Sequence, residues 1–197
     1  MTTHFDPSGL RSQIAMAAAR MIAEDGADYA TAKRKAVKQL LGNGKVRGEV
    51  LPDNEEIEEE VRAYQELFQS DSQPQRLLHL RQLAAELMQE LAAFNPWLIG
   101  AVFNGTAGEH SDIYLHLYTD NSKDVAIFLL NKDVQFEVSE TFDQRQQSHE
   151  TYSFMYKREG VHLVVHESDD LRHASHKHTE RTDLAGLQVL IAETSLA

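Results

Sequence analysis

One feature constrains this chain more than any other: its hydrophobic grammar changes near residue 95. Upstream, apolar residues recur every three or four positions. Downstream, they alternate or run continuously. The first pattern belongs to helices with one buried face and the second to strands. The chain therefore predicts an α+β fold, with a helical region over 1–95 followed by a mixed-sheet α/β unit over 96–197.

Four helices are expected upstream. Leu10, Ile14, Ala17, Ala18, Met21 and Ile22 stripe the first, and Gly26 stops it. Tyr29 to Leu41 forms the second, with Ala36, Val37, Leu40 and Leu41 on one face. GNGKVRGEVLP, residues 42–52, is a loop by its three glycines and proline. Asp53 with Glu56 makes a capping box for the third helix, buried through Ile57, Val61, Tyr64, Leu67 and Phe68. The fourth buries Leu77, Leu80, Ala84, Leu87, Met88 and Leu91, and ends before Asn95-Pro96.

Downstream, WLIGAVF suits a strand covered on both sides. DIYLHLY alternates, with Ile113, Leu115 and Leu117 on one face and Asp112, Tyr114, His116 and Tyr118 on the other. A helix is expected over 121–130, a short strand at VQFEV and a loop at TFDQRQQSHE. A hairpin turning near Glu159-Gly160 follows, then a helix over about 180–192.

The net charge of −12 is unevenly spread: +4 over residues 1–48, −8 over 49–95 and −8 over 96–197. An acidic chain repels nucleic acid. Only Lys33, Arg34, Lys35 and Lys38 offer a basic face for it, and the five glutamates within Glu55–Glu60 supply an internal partner for that face. There are no cysteines and no run of 18 apolar residues, and the N-terminus lacks a secretory pattern. A cytoplasmic protein with no membrane partner is expected.

The chemistry concentrates in NGTAGEHSDIYLHLYTD. Gly105 and Gly108 free the backbone for a turn that could approach a phosphate, and Thr106 adds a hydroxyl. Asp112 opens the next strand on its polar face. A phosphate-holding turn beside a metal-holding carboxylate is the minimum apparatus of phosphoryl transfer. The same residues also suit a plain loop between strands. Eight of the ten histidines lie between 110 and 178. If the strands bearing them are neighbours, Asp112, His116 and His162 converge, a set that suits Zn²⁺, Mn²⁺ or Fe²⁺ better than Mg²⁺. The stretch RHASHKH, 172–178, is expected to be a solvated loop.

The run VFNGTAGEHSDIYLHLY resembles the polymerase-beta-like nucleotidyltransferase superfamily over about residues 97–166. That core has an apolar strand, a Gly-Ser or Gly-Gly turn, and Ser-Asp-apolar-Asp on the next strand. The resemblance implies a phosphate-binding Gly105, Thr106 and Ser111, a catalytic Asp112 holding a divalent metal (Mg²⁺ or Mn²⁺), and a nucleoside triphosphate substrate. The nucleoside monophosphate would pass to an acceptor. The second carboxylate of the pattern falls on Tyr114 and the third on His162. That departure raises the alternative of a non-catalytic nucleotide-binding or regulatory protein, with a protein partner or a second copy.

Overall fold

The computed structural model describes residues 7–42, 48–142, 147–173 and 180–196. Among these residues the chain is α+β, with eight α-helices, two short 3-10 helices and a mixed six-stranded sheet. By contact it divides into two units. One holds residues up to Gln73 together with Gly108–His110, and the other holds Pro74–Ala107 and Ser111 onward.

The first unit is built from α1 (Pro7–Asp25), α2 (Tyr29–Leu41) and α3 (Asn54–Phe68). Its core is rich in small residues. Ile14, Ala15, Ala18 and Ala19 of α1 meet Ala32 and Ala36 of α2 and Ile57 and Val61 of α3. Alanine lets helix axes approach closely while costing nothing in helix propensity. Both later helices begin with aspartate caps. Asp28 accepts from Thr31 N–H at 2.9 Å, and Asp53 forms the expected reciprocal box with Glu56. Glu56 also accepts from Arg11 Nε at 2.7 Å, and that guanidinium holds its carboxyl below the usual range. The positive charge of Lys33 acts on Glu56 in the same direction, less than Arg11 does.

The second unit starts with α4 (Gln73–Glu90). The sequence grammar places a boundary near 95, but packing assigns α4 to the sheet, because Leu77, Leu80, Ala84, Leu87 and Met88 join its core. The strands are β1 (Trp97–Ile99), β2 (Ile113–Tyr118), β3 (Phe136–Phe142), β4 (Ser148–Tyr156), β5 (Glu159–His166) and β6 (Arg181–Thr182). They lie in the order β3-β4-β5-β2-β1-β6. Among the described residues, only β2 and β5 are parallel neighbours; the other pairs are antiparallel. Ile113, Leu115 and Leu117 with Val161, Leu163 and Val165 form the core face. Leu98, Val125, Leu129 and Leu187 pack into the same cluster.

Several expectations are corrected here. WLIGAVF is not one strand: β1 stops at Ile99, and α5 (Gly100–Asn104) begins where Gly100 takes φ +71°. The alternating burial of β1 fits a strand with one core face. The last hairpin turns at Lys157 and Arg158, both at positive φ, directly before Glu159-Gly160. Helix α6 (Ser122–Asn131) matches its prediction. TFDQRQQSHE is largely strand at its two ends, with 143–146 outside the described residues. A short helix α7 (Ser168–His173) follows β5, and 174–178 of RHASHKH lie outside the described residues, as do 43–47 of the glycine loop. The final helix, α8 (Leu184–Leu196), starts later than expected because Arg181-Thr182 pairs with β1.

Arg81 of α4 ties these elements together. It is 6% exposed. Nε donates to Val102 O and Nη2 to Phe103 O, both at 3.0 Å, which satisfies the C-terminal carbonyls of α5. Nη1 donates to Thr194 Oγ1 at 2.6 Å and Leu190 O at 3.3 Å on α8. Burial lowers its pKa, with Glu193 acting in opposition. Arg81→Ala should cost about 3 kcal/mol in urea unfolding, since it orphans several buried acceptors. Arg81→Lys should recover only part of that loss, because one ammonium lacks the planar fork.

Candidate functional site

The parallel pairing of β2 with β5 decides what meets on the face opposite the core. Tyr114 lies beside His162, His116 beside Val164, and Tyr118 beside His166. The antiparallel pairing of β4 places Ser153 opposite His162. Asp112, one residue before β2, completes the row.

The result is a hydrogen-bonded chain. His162 Nε2 lies 3.0 Å from Asp112 Oδ2, and His162 Nδ1 lies 2.8 Å from Ser153 Oγ. With Asp112 ionised, Nε2–H is the donor; in the neutral imidazole, Nδ1 then accepts the serine proton. Tyr114 stacks on the imidazole, with ring centroids 4.5 Å apart and planes 22° apart. Desolvation, and secondarily the Asp112 charge, pushes the Tyr114 phenol upward.

Gly160 makes room for the carboxylate. A Cβ there would stand 2.4 Å from Asp112 Oδ1 and 2.6 Å from its Cγ, closer than real atoms approach. The glycine at the start of β5 is thus a steric condition of the Asp112–His162 contact.

The expected set therefore comes together in part. Asp112 and His162 meet. His116 points along the same face but packs at a tilt against His166, with ring centroids 4.3 Å apart, within a second group formed with Tyr118 and His149. His149 lies 4.1 Å from His166 between ring centroids. Arg181 closes this group: its guanidinium lies 4.5 Å over the Trp97 ring and donates to the Tyr118 hydroxyl. Among the described residues, no three His, Asp or Glu side chains form a metal-ligand group.

The Gly105–Thr106 turn has a structural occupation. Gly105 caps α5 in the left-handed region at φ +89°. Thr106 is 5% exposed, and both its N–H (3.0 Å) and its hydroxyl (2.7 Å) donate to Asn104 Oδ1. Ser111 is half-buried just before Asp112. The exposed glycine beside the site is instead Gly100, at the junction of β1 and α5, because Ile99 pairs with Tyr114. A Cβ on Gly100 would meet nothing within 4 Å. Sequence reasoning missed this junction, although a glycine directly after the apolar WLI run signals it. It also missed Ser153, Gly160 and Arg181, which owe their places to long-range pairing.

Compared with protein-family models, curated proteins and solved structures, the chain matches none. The site is thus described by its own geometry.

Two outcomes follow from that geometry. Gly160→Ala should push Asp112 away from His162 and cost about 1–3 kcal/mol. The checks are thermal unfolding and loss of the hydrogen-bonded imidazole N–H signal in NMR. The second outcome concerns His116. Burial first, then His166, Arg181 and His149, lower its pKa from 6.5 to about 3. The unfolded chain then binds a proton below about pH 6.5 that the folded chain refuses until about pH 3. Stability from this group is present above pH 6.5 and falls as pH drops through that window, by up to about 1.4 kcal/mol per unit. His116→Gln should flatten the fall in urea midpoint between pH 7 and pH 5.

Proposed function

We propose that this chain is a nucleotidyltransferase-like protein whose sheet serves nucleotide binding or regulation in place of metal-dependent transfer. The observation that supports it is the Asp112–His162–Ser153 chain. A transferring site of this class needs carboxylates with lone pairs turned toward a divalent ion. Here one Asp112 oxygen faces an imidazole at 3.0 Å, and the neighbouring strand position carries the phenol of Tyr114. Imidazole and phenol offer hydrogen bonds and stacking faces, which suit a bound base or ribose better than a hard cation.

A second reading, transfer of a nucleoside monophosphate from an NTP, keeps support from one observation: the Asp112 side chain is 44% exposed. A divalent metal arriving from solvent could compete with His162 for it. The exposed Gly100 at the same end of the sheet would then approach the phosphates.

Thermal melting of metal-stripped protein separates the two. Each NTP is tested alone and with Mg²⁺, Mn²⁺ or Zn²⁺. Ligand at 100 times Kd adds about 2.7 kcal/mol, a rise of a few degrees. The binding reading expects a rise with nucleotide alone that survives Asp112→Asn. The transfer reading expects a rise that needs both components and disappears in Asp112→Asn. No rise with any combination rejects both.

A further inference from the structure

The helical unit carries an open apolar groove of ≈ 830 Å³ between α1, α2 and α3. Met16 of α1, Leu40 of α2, and Leu67 and Phe68 of α3 line it, and they are 56%, 38%, 74% and 69% exposed. Isolated exposed leucines are ordinary, but four large apolar side chains converging on one groove are not. Phe68 is braced by Tyr64, with ring centroids 4.7 Å apart. Methionine adds a flexible, polarisable wall of the kind that accommodates apolar side chains of several shapes.

The rim has a sign. Among the described residues lining the groove, Glu24, Asp25 and Glu60 are anionic and Arg20 is the one cation. Arg20 Nε already donates to Glu24 at 2.9 Å, and the Tyr64 hydroxyl donates to the same carboxylate. The groove thus presents an apolar floor and net negative edges. A second copy would bring the same negative edges against them, which opposes self-association through this face.

We propose that this groove receives one amphipathic helix of a partner protein, with leucine-like side chains on Met16, Leu67 and Phe68 and lysine or arginine along the flank facing Asp25 and Glu60. The 15-residue α3 is about 22 Å long, so a partner helix of about four turns would span it. Docking an apolar helical stripe into such a groove supplies affinity, and the charged edges supply orientation and association rate. This inference is independent of the nucleotide reading, because it concerns the helical unit alone.

The test titrates the full chain with two synthetic helices of about five turns. Both carry the same leucine stripe; one has lysine flanks and the other glutamate flanks. The expected result is binding of the lysine helix that weakens with added salt. The glutamate helix should bind at least about tenfold more weakly. The double substitution Leu67→Asp and Phe68→Asp should weaken the lysine helix at least about tenfold with the melting temperature kept, since both positions are exposed. Equal binding of the two helices, binding untouched by the substitutions, or no binding of either helix overturns the proposal. So does a dimer in sedimentation that the same substitutions dissociate, because the occupant would then be a second copy.

Discussion

A buried guanidinium organises the sheet unit. Arg81 projects from α4 into a layer that excludes water, where an unpaired cation would be costly. It is tolerated because the ends of two helices supply oxygen atoms: Val102 and Phe103 carbonyls from α5, and Leu190 O and Thr194 Oγ1 from α8. Each partner solves a problem for the other. The helix termini need donors for carbonyls that no further turn satisfies, and the guanidinium needs acceptors in a planar fork. Because α5 follows β1 directly, the same contact fixes how the chain leaves β1 and where the turn toward β2 begins.

That placement has consequences at the candidate site. Once α5 is held, Gly105 can only serve as its cap, and Thr106 folds inward onto Asn104. The open backbone moves to Gly100, at the end of β1 and beside the start of β2. Asp112 then enters β2 with its carboxylate against Gly160 and within reach of His162. The site is therefore a product of strand order: β2 sits between its antiparallel neighbour β1 and its parallel neighbour β5.

The polar face of the sheet separates into two chemical regions. Near the start of β2, a carboxylate, an imidazole and a hydroxyl are linked by hydrogen bonds, and the Asp112 end remains open to solvent. Near the ends of β2 and β5, three imidazoles, two further aromatic rings and Arg181 pack on one another, and burial there keeps His116 neutral down to about pH 3. The first region is reached by water at its Asp112 end, and the second is packed away from it. Similar residue types thus do different work according to how much water reaches them.

Much of the architecture was legible in the residues themselves, because local periodicity and capping chemistry act over a few positions. The stripe of α4, the Asp53–Glu56 box and the alternation of β2 all depend on neighbours within one or two turns or pleats. Asp112 and His162 were legible as chemistry-bearing residues on strand faces. What sequence could not settle was partnership over long separations. Nothing local marks Arg81: its acceptors come from α5, some twenty positions on, and from α8, over a hundred positions on. WLIGAVF looked like a strand because apolar runs carry no period; Gly100 at positive φ and the Arg81 contact make its second half helical. Ser153, Gly160 and Arg181 have no local signal, since their roles are set by cross-strand register. Sequence by itself determined most buried faces, because these follow from hydrophobic spacing, although Leu67 and Phe68 of α3, expected on a buried stripe, are exposed; tertiary structure decided which side chains meet, because strand order and register are collective properties of the whole sheet.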